Sequence, residues 1–91
     1  MSSDVVLEEY EEYLRRIMDY LVQSSVKISG FLEELDIRFR ELERRRHIIG
    51  PYPRVDDVRY DLDRLRERIR KSIQYIEEEI RMVKLVKERR K

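Results

Sequence analysis

Six apolar residues stand at a strict seven-residue spacing in the first half of the chain, and this repeat most limits the folds open to it. They form a leucine row: Leu7, Leu14, Leu21, Ile28, Leu35 and Leu42. Seven residues make two turns of a slightly under-wound α-helix, so these positions fall on one line along its surface. The spacing predicts one long helix that buries this line. We expect a second inward row three residues further on, at Tyr10, Ile17 and Phe31, with Met18, Leu32 and Phe39 on its flank.

The second half of the chain repeats the pattern with a row at Val55, Leu62, Ile69, Ile76 and Val83. Between the two rows lies Gly50-Pro51-Tyr52-Pro53, which cannot continue a helix because proline lacks an amide hydrogen and restricts the residue before it. Two long amphipathic helices joined by a short turn pack antiparallel. The sequence therefore predicts an all-α protein, a single domain over residues 1–91 that forms a long antiparallel helical hairpin, or two-helix coiled coil. The predicted bounds are a helix over 4–48, a turn over 49–53 and a helix over 54–89.

One stretch leaves an alternative open. Residues 23–30 contain Ser24, Ser25, Ser29 and Gly30, all poor helix formers, and glycine alone costs about 1 kcal/mol relative to alanine. A break here would give three shorter helices and a three-helix bundle. Because the leucine row keeps its spacing across the stretch, and an inserted loop would shift that spacing, we favour a continuous helix.

The apolar stripes are wider than a two-helix contact requires. The excess lies in the first half of helix one and the second half of helix two, which are neighbours in a hairpin, while the stripes near the turn are expected to cover one another. A large exposed apolar patch is unusual on a monomer. We therefore expect dimerisation into a four-helix bundle, or docking on another protein, through Tyr10, Tyr13, Tyr20, Tyr75, Ile80 and Met82.

Positive charge gathers near the predicted turn. The chain as a whole has a net charge of only +1, but three consecutive arginines precede the turn and a further arginine follows it. Arginine forks suit phosphate, and an exposed tyrosine can stack on a base. The alternative function is therefore a nucleic-acid-associated factor, a replication or transcription accessory, with contacts from Arg44, Arg45, Arg46, Tyr52 and Arg54.

Several classes of function lack the residues they need. There is no cysteine, and His47 is the only histidine, so we expect no metal site and no cofactor. No group of catalytic residues is recognisable, and no apolar run reaches the roughly 20 residues that span a bilayer. Charged residues make up 45% of a chain without asparagine, a composition typical of thermophiles. We expect a cytoplasmic, non-enzymatic structural protein that acts through protein–protein contacts, as a homodimer or as a small accessory subunit of a larger complex.

Overall fold

The protein forms an all-α hairpin, as the two apolar rows predict. The computed structural model describes residues 3–45 and 53–89, which contain two helices and no strand. Helix α1 spans Ser3–Glu43 and helix α2 spans Pro53–Arg89. The molecule measures 69 × 16 × 14 Å, the shape of two long helices side by side.

Contacts between the helices establish the antiparallel alignment. Lys87 Nζ lies 3.3 Å from Glu11 Oε1, an Arg66 nitrogen donates to Ser29 Oγ at 3.4 Å, and an Arg59 nitrogen lies 2.6 Å from an Asp36 carboxylate oxygen. As the residue number rises on α1, that of its contact on α2 falls. The start of α1 therefore lies beside the end of α2.

The helices begin and end close to the predicted bounds, with one difference. Helix α2 starts at Pro53, and proline suits the first turn because its missing amide hydrogen has no helical partner there. Helix α1 stops at Glu43, five residues before the predicted end at 48. The Arg45 amide donates a hydrogen bond to the Leu42 carbonyl at 2.9 Å. This bond spans three residues rather than the four of an α-helix, so the chain leaves the helix in a tighter turn. Residues 49–52 of the predicted turn lie outside the described residues, and its last residue, Pro53, is the first residue of α2.

Helix α1 runs unbroken through residues 23–30, so the alternative of a three-helix bundle is wrong. The leucine row supplies the reason, because Leu21, Ile28 and Leu35 are all at least half-buried along one line across the stretch. A side chain at Gly30 would meet no atom within 4 Å. The glycine therefore does not mark a close approach of another segment.

The second inward row was predicted three residues after the leucine row, but only Ile17 of that row is half-buried, and the flank four residues after the leucine row is buried more deeply. Phe31, three residues after Ile28, is 49% exposed, whereas Leu32, four residues after it, is 7% exposed. Residues three and four positions on lie on opposite flanks of the line. Helix α2 explains the choice: it has Ile73 and Ile80 four residues after its own row but Ser72 and Glu79 three residues after it. Facing the isoleucines inward buries more apolar surface.

The cluster of buried apolar side chains lies in one half of the hairpin. We call the half away from the turn the open half (residues 4–25 and 70–89) and the rest the turn half (26–45 and 54–69). In the open half Leu14, Ile80 and Val83 are buried together, with Leu7, Met18 and Ile76 packed against them. In the turn half, the corresponding inward row of α2 contains Arg59 and Arg66.

Candidate protein-interaction face

The two broad sides of the hairpin differ in chemistry. One side carries the side chains three residues after, or one before, the apolar rows. In the half of the hairpin away from the turn these are apolar or small, apart from Glu79: Val6, Tyr10, Tyr13, Ile17, Tyr20 and Ser24 on α1, and Ser72, Tyr75, Glu79, Met82 and Val86 on α2. Nearer the turn the same positions mix apolar and charged side chains: Lys27, Phe31, Glu34, Arg38 and Glu41 on α1, and Arg54, Val58, Asp61, Leu65 and Arg68 on α2. We call this side the tyrosine face. The opposite side, the charged face, carries Glu8, Arg15, Asp36, Asp63, Arg70, Glu77 and Lys84.

A hydrogen bond across the hairpin shows that the two helices contribute to the same face. The Tyr10 hydroxyl donates to Glu79 Oε1 at 3.0 Å. This bond, with lesser contributions from desolvation and the carboxylate charge, raises the pKa of Tyr10 above its ordinary value. Glu79 is the one acid among the apolar side chains of this face in the open half, and Tyr10 gives its carboxylate a partner. The sequence alone does not predict this pairing, because it depends on the alignment of the two helices.

The tyrosine face is open to solvent where its apolar side chains are largest. Tyr13, Tyr20, Tyr75 and Met82 are 61%, 73%, 66% and 57% exposed. Other exposed apolar side chains, including Val22, Val26, Ile37 and Tyr60, are distributed over the remaining surface. Scattered exposed apolar residues are common on monomers, but a continuous group of aromatic side chains is not. The face is therefore the main candidate for an interaction surface.

Two expectations about this surface need correction. Ile80 was predicted to be exposed at the interface, but it is only 9% exposed and belongs to the core of the hairpin itself. The cause is the rotation of each helix about its own axis. The residues four positions after the apolar row face the partner helix, rather than those three positions after it. The same rotation leaves Val58 and Leu65 about half exposed, although the stripes near the turn were expected to cover one another.

The charged face contains shallow hollows lined by ionic groups. One, in the turn half, lies between Asp36, Asp56, Arg59, Asp63 and Arg66. Two of its contacts are short: Arg59 to Asp36 at 2.6 Å and Arg66 to Asp63 at 2.7 Å. A second hollow, in the open half, is lined by Arg15, Asp19, Glu77, Arg81 and Lys84 around Met18 and Ile80. Charges of both signs alternate in each hollow, which is typical of a solvated surface.

The predicted arginine site is only partly within the described residues. Arg44 and Arg45 are exposed after the end of α1 and line one hollow with Arg38, Glu41 and Leu42. Arg54 is exposed in the first turn of α2. Arg46 and Tyr52 lie outside the described residues.

Among residues 3–45 and 53–89, no group of three or more acidic or histidine side chains is placed to hold a metal ion. Within the same residues, neither helix has an apolar stretch that could cross a membrane.

The hairpin and its two unlike faces thus define a helical protein with one apolar side. No protein-family model matches the chain, and comparison with curated proteins and with solved structures finds no match.

Proposed function

We propose that the protein is a non-enzymatic assembly subunit that binds another protein surface, its own or that of a larger complex, through the tyrosine face. The observation that carries the proposal is the separation of the two faces. In the open half, one side of the hairpin presents Tyr13, Tyr20, Tyr75 and Met82, while the other presents mostly charged side chains and a single exposed valine, Val22. A hairpin that worked alone in water would gain nothing from collecting its aromatic residues on one side.

The energy available from this face supports the proposal. Burying one large apolar side chain contributes about 1.5–3 kcal/mol relative to leaving it in water. Four such side chains lie within the open half, so their burial can offset a considerable part of the entropic cost of association. The Tyr10–Glu79 hydrogen bond supports the same function, because a buried carboxylate without a partner would oppose binding.

Photo-crosslinking tests which side of the hairpin touches another protein. A photoreactive phenylalanine analogue is placed at Tyr20 on the tyrosine face and, as the matched control, at Val26, which is 66% exposed on another side of α1. We expect crosslinked products from position 20 in purified protein or in native extract, and few from position 26. Equal yields from the two positions would contradict a specific role for the face.

The nucleic-acid alternative has one observation in its favour: Arg38, Arg44 and Arg45 surround a single hollow at the end of α1. Against it, Glu41 lines the same hollow, and Arg38 already pairs with Glu34 at 3.2 Å. Phosphate contacts weaken steeply as salt rises. If the alternative is correct, a gel shift at low salt will be lost both in higher salt and after replacement of Arg44, Arg45 and Arg46 by glutamate. Absence of any shift at low salt would exclude it.

A further inference from the structure

We infer that the tyrosine face binds a second copy of this chain, packed with its turn at the opposite end, so that the overlap is centred on the open halves. The inference rests on the proposed function and adds to it the identity and the orientation of the partner. It follows from which side chains occupy the same position along the hairpin.

The contacts Ser29–Arg66 and Asp36–Arg59 define these positions. Because the helices are antiparallel, moving one residue toward the C-terminus of α1 corresponds to moving one residue toward the N-terminus of α2. Each residue of α1 therefore has a counterpart on α2 at the same height along the hairpin, and we call this height its level. On the tyrosine face, the resulting pairs at equal level are Tyr13 with Met82, Tyr20 with Tyr75, Lys27 with Arg68, and Glu34 with Asp61, and Ser24 lies within one residue of the level of Ser72.

A second copy with its turn at the same end would make poor contacts. Two-fold symmetry would then place α1 of one copy on α2 of the other, with equal levels opposed. Lys27 would face the partner's Arg68, and Glu34 would face the partner's Asp61, so like charges would meet at both positions in both copies. Large side chains would oppose large ones, and Ser24 would oppose the partner's Ser72 and leave a gap. Like-charge contacts and voids both oppose association.

A second copy with its turn at the opposite end makes complementary contacts. If the two-fold axis crosses the face near the level of residue 18, α1 lies on the partner's α1 and α2 on the partner's α2. Tyr13 then faces the partner's Ser24, and Met82 faces the partner's Ser72, so that each large side chain meets a small one. Phe31 reaches the level of the partner's Val6, so that two apolar side chains meet. One position of the axis satisfies all three pairs.

The size of this overlap suits a stable dimer. The two copies overlap over about 30 residues of each helix, or roughly 45 Å at 1.5 Å per residue. With a hairpin width of 16 Å, each copy contributes about 700 Å², close to the roughly 800 Å² that each partner contributes to a standard interface. The charges that follow on the same side, Glu34, Arg38 and Glu41, stay beyond the overlap and in water.

Distance measurement between spin labels tests the orientation directly. The native chain has no cysteine, so a single Asp57→Cys or Arg16→Cys substitution gives one labelled site per copy. Both residues are exposed and lie off the tyrosine face. Because Asp57 is about 20 levels from the axis, we expect its labels to be roughly 60 Å apart in the dimer. Labels at Arg16, close to the axis, should lie within about 30 Å. A separation below about 30 Å at Asp57 would overturn the opposite-end arrangement.

Light scattering tests whether the partner is a second copy. The native protein should have about twice the 11.4 kDa mass of one chain. The double variant Tyr13→Glu, Tyr20→Glu should have the mass of one chain while keeping its helical circular dichroism. The matched control, Val26→Glu with Ile37→Glu, changes exposed apolar residues outside the face and should remain a dimer. A native protein that is monomeric at high micromolar concentration would overturn the inference. Crosslinks from Tyr20 to a different protein would still support the proposed function.

Discussion

The open half and the turn half are built from the same two helices but are held together differently. In the open half, the inward row of α2 supplies Ile73 and Ile80, and Leu14, Ile80 and Val83 form a buried apolar cluster. In the turn half, the equivalent positions are Arg59 and Arg66, which contact Asp36 and Ser29 across the helices. Only Leu32 is buried there.

This difference implies that the two halves make different contributions, one mainly to the stability of the fold and the other mainly to the alignment of the two helices. Apolar burial contributes about 25 cal/mol for each Å² removed from water, whereas a partly exposed ion pair contributes between zero and about 1 kcal/mol. We therefore expect most of the free energy of unfolding to come from the open half. The directional contacts of the turn half contribute mainly to the register of the two helices. The large apolar side chains of the tyrosine face lie beside the buried cluster of the open half. The part of the hairpin expected to be most stable therefore also carries the proposed interface.

The largest expected effect comes from a cavity in the open half. Leu14→Ala removes most of a side chain that is 3% exposed and should lower the free energy of unfolding by about 2–4 kcal/mol. Leu62→Ala in the turn half removes the same atoms from a half-buried position and should cost clearly less. Urea denaturation followed by circular dichroism, at one fixed protein concentration, measures both variants. Equal losses would show that the two halves contribute alike.

A smaller gain is expected where the halves meet. Gly30 lies within α1, and a methyl group there would meet nothing within 4 Å. Gly30→Ala should therefore raise the free energy of unfolding by about 0.5–1 kcal/mol, because alanine loses less backbone entropy than glycine on becoming helical. The same urea titration measures the change. A loss of stability instead would indicate that a neighbour approaches Gly30 closely in the folded assembly.

The smallest expected effect depends on pH and concerns the free end of the open half. A hydrogen bond from Arg15, with further contributions from Lys87, holds the pKa of Glu11 below its ordinary value of 4.5. A lowered pKa means that the folded state favours the charged carboxylate. Its stabilising contribution is therefore complete above the ordinary pKa and disappears as the pH falls through the lowered one.

Glu11→Gln should consequently be less stable than the native protein at neutral pH, and this difference should close as the solution is acidified. Thermal melts from pH 7 to pH 2 follow it. Glu34→Gln is the matched control, since Glu34 pairs only with Arg38 on its own helix among the contacts observed. A native-to-variant difference that stays constant with pH would show that the charge of Glu11 plays no part.

Particular residues show how far the sequence could predict the structure. The row from Leu7 to Leu42 was predicted to face inward, and its members from Leu7 to Leu35 do, because a seven-residue repeat has only one line on a helix. Leu42, beside the end of α1, is 37% exposed. Phe31 and Leu32 could not be assigned in the same way. Both are large and apolar, one on each flank of that line, and neither flank is favoured by the sequence of α1 alone. The exposure of Ile80 was mispredicted for the same reason.

The sequence by itself determined that this protein is two long helices folded into an antiparallel hairpin, since the apolar repeats and the proline-rich turn are periodic or local signals. Only the tertiary structure decided how each helix is rotated about its axis. That rotation depends on the total apolar surface that both helices bury together. Because α2 has Ile73 and Ile80 four residues after its apolar row, the flank of α1 that carries Met18 and Leu32 faces inward. Tyr13, Tyr20, Tyr75 and Met82 were thereby left on one side of the hairpin, exposed to solvent.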